Sequence, residues 1–176
     1  MLSTKGFRTR IFAPCSADEE AFLAATQASI GLHYPWISVP RDHGGWQRYM
    51  TRLERDSEAG FLVKRIEDGA ICGVINLNMI TYEALCSSYV SYFGVEGQVE
   101  NGYMKEGMLQ VIRFAFSQLG LHRLEANIQP QNLASIGLVR AVGFQYEGFS
   151  PRLLSINGKW CDHERWAILA DDKQFR

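Results

Sequence analysis

The sequence predicts an α/β fold, a mixed β-sheet with helices on both faces, for three reasons. Apolar residues recur in alternation at helical and at strand spacing along the chain. Three strand patterns follow one another in the middle, which favours antiparallel pairing within an otherwise alternating order. The 176 residues, 47% hydrophobic and 21% charged, suffice for one packed core. We therefore expect residues 1–176 to form a single domain.

The first part of the chain is predicted to hold one strand and two helices. Residues 9–13 fit a strand. Ser16 and Glu19 have the spacing of a capping box, which predicts that the first helix begins at this point. Pro35 disfavours helical backbone at the residue before it and interrupts the helical pattern. Apolar residues at helical spacing resume over 44–58 and predict the second helix.

A β-hairpin and a third strand are predicted next. Residues 61–66 and 70–80 are apolar runs joined by a Glu-Asp-Gly turn at 67–69. Asp-Gly between two apolar runs is a hairpin signal. Residues 88–93 show a further strand pattern, and a glycine-containing loop follows at 94–102.

The most regular helix pattern comes directly after that loop. From Met104 to Leu119 the apolar residues share one face over about four turns, and Gly120 is suited to end the helix. Asn132 is suited to cap a shorter helix, which Gly143 would end. Three more strands are expected, at 123–128, 144–149 and 161–169, with a turn at 156–160 between the last two.

Composition excludes several classes of protein. The net charge of −1 provides no global basic field for nucleic acid. No apolar run approaches the length of a membrane span, and the N-terminus lacks the apolar stretch of a signal peptide, so a cytoplasmic protein is expected. The cysteines, which are expected to be free thiols rather than metal ligands, are Cys15, Cys72, Cys86 and Cys161.

The strand–loop–helix unit over 88–119 is a candidate phosphate site. Free backbone N–H groups and the positive end of the helix dipole lie at a helix start. Lys105 in the first turn would add a positive charge. A plain turn explains the same pattern, so a second signal is needed.

Residues 129–144 supply that signal, because they resemble the N-x-x-S…GF signature of the GNAT acetyltransferases. The resemblance is to the RimJ/RimL-like branch. Leu-His-Arg-Leu-Glu-Ala-Asn (121–127) and Ile-Asn-Gly-Lys-Trp-Cys-Asp-His (156–163) look like other parts of that branch's core. His-Tyr-Pro-Trp-Ile (33–37) resembles its substrate-side segment.

The resemblance implies a GNAT-type fold, in which the sheet splays between the parallel strands 88–93 and 123–128. Acetyl-CoA would lie in the splay, with its pyrophosphate on the loop amides, and no metal is expected. The amine, from a small molecule or a protein N-terminus, would enter near 31–37 and the turn in the 150s. The residues expected to contact acetyl-CoA are Tyr92, Phe93, Gly94, Gln98, Asn101, Gly102, Tyr103, Met104, Lys105, Asn132 and Ser135.

Catalytic roles are implied for few residues. Ser135 is the candidate proton donor to the leaving CoA thiolate, and Asn132 is a candidate for a contact that binds CoA or positions the loop. Asn132 is also a good N-cap whatever the function, and Ser135 also fits as a small polar residue in a first turn. The general base stays open among solvent water and the side chains of Glu106, Glu147, Asp162, His163 and Glu164.

Glu100 departs from the pattern of the family's pyrophosphate loop, because it stands where a glycine is usual. Glycine permits a positive φ and close backbone approach, and a carboxylate near a pyrophosphate is repulsive. Two hypotheses follow. The chain is an active N-acetyltransferase, or it is a catalytically impaired acyl-CoA-binding or regulatory module of the same fold. The resemblance leaves a homodimer open.

Overall fold

A seven-stranded mixed sheet organises the protein, whose computed structural model describes residues 6–172. The strand order across the sheet is β1-β2-β3-β4-β5-β7-β6. Among residues 6–172, only β4 and β5 pair in parallel, and every other strand pair is antiparallel. The strands are β1 (Thr9–Phe12), β2 (Ala59–Arg65), β3 (Ile71–Thr81), β4 (Ser87–Gly94), β5 (Arg123–Ile128), β6 (Gln145–Ile156) and β7 (Lys159–Leu169). The fold class expected from the sequence is confirmed.

The α-helices are α1 (Glu19–Ala28), α2 (Ile30–His33), α3 (His43–Leu53), α4 (Tyr103–Ser117) and α5 (Leu133–Ala141). The predicted capping box at Ser16 and Glu19 was wrong, because α1 begins only at Glu19 with Asp18 as its N-cap, and the box at Cys15 and Asp18 opens a 3₁₀ helix instead. Cys15 is the N-cap of that 3₁₀ helix, and its backbone N–H donates to the Asp18 carboxylate at 2.9 Å. The 3₁₀ helix, Ser16–Asp18, precedes α1. The predicted interruption is confirmed, since α2 ends at His33, two residues before Pro35.

Helices cover both faces of the sheet, because neighbouring strand residues point to opposite sides. Leu62 belongs to the apolar cluster under α1 and α3, together with Phe22 and Trp46. Val63 belongs to the larger cluster under α4 and α5, which includes Met108. Both strand residues are fully buried. No helix among residues 6–172 is long and apolar enough to span a membrane.

Strands β4 and β5 pair only at their first residues. Ser87, Ser88 and Tyr89 pair with 123–125, and in the described part of the chain β4 and β5 do not pair beyond Tyr89. From Val90 onward the two strands diverge, so the backbone groups of β4 on that side have no strand partner. The splay expected from the resemblance is therefore present in the sheet, at the carboxyl ends of its two parallel strands.

Candidate active site

A cavity of about 620 Å³ occupies the splay between β4 and β5. Its walls come from β4, β5, β7, the loop before α4, the start of α4, α5 and the segment around α2. This volume lies within the range of about 300–1,000 Å³ that is usual for small-molecule sites. Such a position also follows the general rule that ligands bind outside the carboxyl ends of parallel strands.

Ten of the eleven residues expected at acetyl-CoA line this one cavity. They are Tyr92, Phe93, Gly94, Gln98, Gly102, Tyr103, Met104, Lys105, Asn132 and Ser135. Asn101 is not among the lining residues. Its side-chain Nδ2 donates to the carbonyl of Val99 at 3.1 Å, and its own carbonyl accepts from Arg8. Asn101 therefore shapes the loop from behind.

The loop before α4 has the backbone of a glycine-dependent turn. Gly102, with φ +81°, is the N-cap of α4, and it lines the cavity together with the first helical residues up to Lys105. The free amides of a helix start therefore lie at this end of the cavity. Glu100 has φ +65°, a left-handed conformation that suits glycine better. Its side chain is exposed, and water therefore screens the carboxylate. Glu100 therefore differs from the usual glycine in two ways: its side chain makes the positive φ unfavourable, and it adds a negative charge.

Substitutions at Glu100 separate these two effects. Glu100→Gln removes the charge alone, and Glu100→Gly also relieves the positive φ. We expect either variant to bind acetyl-CoA about 3–10-fold more tightly, as follows from about 0.7–1.4 kcal/mol of removed repulsion. Glu100→Gly should change the free energy of unfolding by less than about 1 kcal/mol, since relief of strain is offset by added chain entropy.

Titration calorimetry with acetyl-CoA measures the affinities, and Glu96→Gln is the matched control, an exposed loop carboxylate that does not line the cavity. Weaker binding by Glu100→Gln would contradict a phosphate site here. A gain of about 100-fold or more for Glu100→Gly would instead favour the impaired-module hypothesis.

An ion pair that the sequence did not predict holds the loop from the β1 side. Arg8 donates from its backbone N–H and its guanidinium to the Glu106 carboxylate, at 2.7–2.9 Å, and to the Asn101 carbonyl at 2.6 Å. The guanidinium also lies over the Tyr103 ring, 4.7 Å from its centroid. Glu106 is thereby a structural residue. The sequence does not reveal such a pair, since Arg8 and Glu106 are 98 positions apart.

The α5 side of the cavity presents two uncommitted polar groups. Asn132 caps α5, because its Oδ1 accepts from the Ser135 backbone N–H at 3.2 Å. The Tyr92 hydroxyl donates to the Ser135 carbonyl at 3.1 Å, and burial raises the pKa of Tyr92, so that its proton stays in place. Among residues 6–172, neither the Ser135 hydroxyl nor Asn132 Nδ2 has a hydrogen-bond partner. Both remain available to a ligand.

The opposite end of the cavity is built around His33. Its Nε2 donates to the carbonyl of Gly94 at 2.8 Å, which fixes the end of β4. Burial lowers the pKa of His33, so the ring is neutral near pH 7. Gln129 Nε2 donates to the Trp36 carbonyl at 3.3 Å and joins this segment to the end of β5. His33, Trp36 and Gln129 all line the cavity.

The five side chains considered as the general base differ in their partners and in whether they line the cavity. Glu106 is paired with Arg8, and Glu147 with Arg123. The remaining two carboxylates also have partners: Asp162 accepts from the Arg152 backbone N–H at 2.7 Å, and Glu164 accepts from the Trp166 indole at 3.0 Å. His163 is the one residue of this set that lines the cavity. Within residues 6–172, no three His, Cys, Asp or Glu side chains are grouped as metal ligands, and all four cysteines are free.

Comparison with known proteins identifies the family. Residues 8–145 match the acetyltransferase (GNAT) domain. The chain is 37% identical over 127 residues to the probable N-acetyltransferase YjcK of Bacillus subtilis, covering 72% of this chain and 70% of that protein. It is 27% identical over 166 residues to the [ribosomal protein uS5]-alanine N-acetyltransferase of Escherichia coli, covering 88% of this chain and 85% of that protein.

The fold also matches that of a solved acetyltransferase structure. The structure of Mycobacterium smegmatis RimJ in complex with CoA-disulfide superimposes with a TM-score of 0.86 at 22% identity, covering 94% of this chain and 83% of that one. The splayed seven-stranded sheet is therefore a GNAT fold. The chain belongs to the GNAT acetyltransferase family, with relatives in the RimJ/RimL branch, and is an N-acetyltransferase that uses acetyl-CoA.

Proposed function

We propose that this enzyme transfers the acetyl group of acetyl-CoA, bound in the splay, directly to the α-amine of a protein N-terminus in a ternary complex. The observation that carries the proposal is the single cavity that joins the loop before α4 to the segment around α2. A ligand that enters at one end meets free helix amides, and a ligand that enters at the other end meets His33 and Trp36.

The donor half of the site accounts for the proposed acetyl-CoA contacts. The pyrophosphate lies on the amides of 98–103 and near Lys105, at the positive end of α4. The pantetheine arm follows the unpaired edge of β4 from Val90 towards Gly94 and replaces the missing β5 partner. A backbone N–H of that edge stabilises the charge that develops on the thioester oxygen.

Ser135 is the proposed proton donor to the leaving sulfur. Its hydroxyl is uncommitted, and its backbone is held on both sides, by Asn132 at the N–H and by Tyr92 at the carbonyl. A donor on a fixed backbone suits proton transfer, because geometry comes before pKa in such a step.

The charges of the cavity favour an α-amine over a polyamine as the acceptor. Of the described residues that line it, Glu100 alone carries a carboxylate, and Glu100 belongs to the phosphate loop. The second cation of a polyamine would find no partner at the His33 end. An α-amine has a pKa of about 7.7–8.0, against about 10.4 for an alkylamine, so far more of it is neutral at pH 7. The E. coli relative is named for an alanine of a ribosomal protein.

Release of CoA thiol from acetyl-CoA tests the acceptor. We expect a short peptide with a free N-terminal alanine to react with a kcat/KM at least about 10-fold above that of spermidine, which corresponds to about 1.4 kcal/mol. The control is the same peptide with a blocked N-terminus and a free lysine. Faster reaction with spermidine, or equal reaction with the blocked peptide, would contradict the proposal. A cytoplasmic location and a homodimer stay predictions of the sequence.

A further inference from the structure

His163 stands on β7 where it reaches the cavity from the β5 side. It pairs with Ser150 of β6, and the adjacent Glu164 pairs with Ile128, the last residue of β5. The side chain is only 3% exposed, yet it lines the cavity together with Gln129 and His33. His163 is therefore both buried and in the wall of the cavity.

The hydrogen bonds of His163 fix which ring nitrogen is basic. Nδ1 lies 2.9 Å from the Cys161 carbonyl, and since a carbonyl only accepts, Nδ1 carries the proton. Nε2 is then an acceptor, and it has no hydrogen-bond partner among residues 6–172. It is also not among the polar atoms that are sealed from solvent without a partner. Burial lowers the pKa of His163, which keeps the ring neutral near pH 7.

The other histidine of the cavity has the opposite arrangement. His33 uses Nε2–H to hold the Gly94 carbonyl, and its Nδ1 is enclosed without a partner. The basic nitrogen of His33 is therefore closed off from a ligand in the cavity. The four carboxylates considered above have other partners and do not line the cavity.

We propose that Nε2 of His163 accepts the proton that the acceptor amine loses as it attacks the thioester; this assignment rests on the proposed function. The neutral amine forms the N–C bond to the acetyl carbon, the C–S bond breaks, and its electron pair stays on sulfur. One proton passes from nitrogen to Nε2, and the thiolate gains one from the Ser135 hydroxyl. Solvent exchange then returns His163 and Ser135 to their starting states, with amide and CoA thiol as products.

The charged surroundings of His163 leave the lowered pKa intact. Asp162, next to it on β7, favours the charged ring, but burial is the larger effect. The other titratable residues that line the cavity are His33, Tyr92, Glu100, Tyr103 and Lys105. Of these, Glu100 and Lys105 belong to the phosphate end. A weak base of this kind suits an α-amine, which is already partly neutral at pH 7, better than an alkylamine.

The pH dependence of kcat/KM for the alanine peptide distinguishes this role from a structural one. In the wild-type enzyme both the amine and His163 must be neutral. Burial places the pKa of His163 below 6.5. The logarithm of kcat/KM should therefore rise with pH at slope 2 below that pKa, and at slope 1 between it and the pKa of the amine. In His163→Asn, whose amide can still donate to the Cys161 carbonyl, we expect slope 1 throughout and a loss of about 100-fold at pH 7.

His163→Gln tests the same expectation in a second variant. The matched control is His122→Gln, because His122 is exposed and lies outside the cavity, and this variant should behave as wild type. Acetyl-CoA affinity and melting temperature establish that each variant is folded. A folded His163→Asn enzyme with wild-type kcat/KM, or with slope 2 preserved, overturns the proposal.

Nitrogen NMR of the histidine rings separates failure of this assignment from failure of the proposed acceptor. With acetyl-CoA bound at pH 7, we expect His163 to be neutral with the proton on Nδ1, whichever peptide is used. A proton on Nε2, or a charged ring, overturns the role of His163 even where the peptide is acetylated. Absence of peptide acetylation by the wild-type enzyme overturns the proposed acceptor and, with it, proton transfer from that amine.

Discussion

Replacement of Ala134 by Trp is expected to abolish acetyl-CoA binding while leaving the fold intact. Ala134 is exposed on the first turn of α5 and lines the cavity. An indole there would occupy the space between α5 and the unpaired edge of β4, which the pantetheine arm requires. We expect the affinity for acetyl-CoA to fall at least about 100-fold, or about 2.7 kcal/mol, as measured by titration calorimetry.

The same helix offers the control. Ala141, the last residue of α5, is also exposed but does not line the cavity, so Ala141→Trp adds the same indole away from the site. The control should bind acetyl-CoA as wild type does. Equal affinity of Ala134→Trp and wild type would show that acetyl-CoA does not lie along this wall.

Ser135→Ala is expected to lower kcat by about 100-fold with little change in acetyl-CoA affinity. The hydroxyl acts only when negative charge develops on sulfur, and loss of a group used in the transition state lowers kcat without weakening ground-state binding. The backbone contacts of Ser135 to Asn132 and Tyr92 do not involve the side chain, so the structure should persist. Steady-state kinetics with the alanine peptide measure kcat.

Ser117→Ala is the matched control for this change, because Ser117 is exposed at the end of α4 and its hydroxyl donates only to the Arg113 carbonyl. Ser135→Cys, which retains a proton donor, should recover part of the lost rate. An unchanged kcat in Ser135→Ala would show that Ser135 is only a small polar residue in the first turn of α5 and not the proton donor.

Local patterns predicted most of the secondary structure. The Asp-Gly hairpin, the stripe of α4 and the Asn132 cap depend on residues close in sequence, and each is present. β6 runs from Gln145 to Ile156 and is longer than the predicted 144–149. The prediction stopped short because the strand is largely exposed and its second half lacks a clear alternation of apolar and polar residues. The start of the first helix was misplaced because Ser16 and Glu19 match a capping box that Cys15 and Asp18 form instead.

The site was less accessible to sequence reasoning. Ten of the eleven residues that the family resemblance assigned to acetyl-CoA line one cavity. Local sequence patterns alone could not predict this, since β4 and β5 are brought together by tertiary packing. The signature missed Arg8, which holds the loop from a distant segment. It named 33–37 only as the segment on the amine side and did not predict the hydrogen bond from His33 to the Gly94 carbonyl. It also left the general base open, because the partners of Glu147 and Glu164 and the tautomer of His163 exist only in the fold.

Hydrogen exchange in the presence and absence of acetyl-CoA tests most directly whether the cosubstrate occupies the splay. The amides of 90–94 on the open edge of β4 and those of 98–105 have no strand partner on the cavity side or lie at a helix start, so ligand contacts should slow their exchange. The account predicts protection concentrated in these two segments, with β1 and β2 unchanged. Binding that protects other segments and leaves 90–94 and 98–105 unaffected would contradict it.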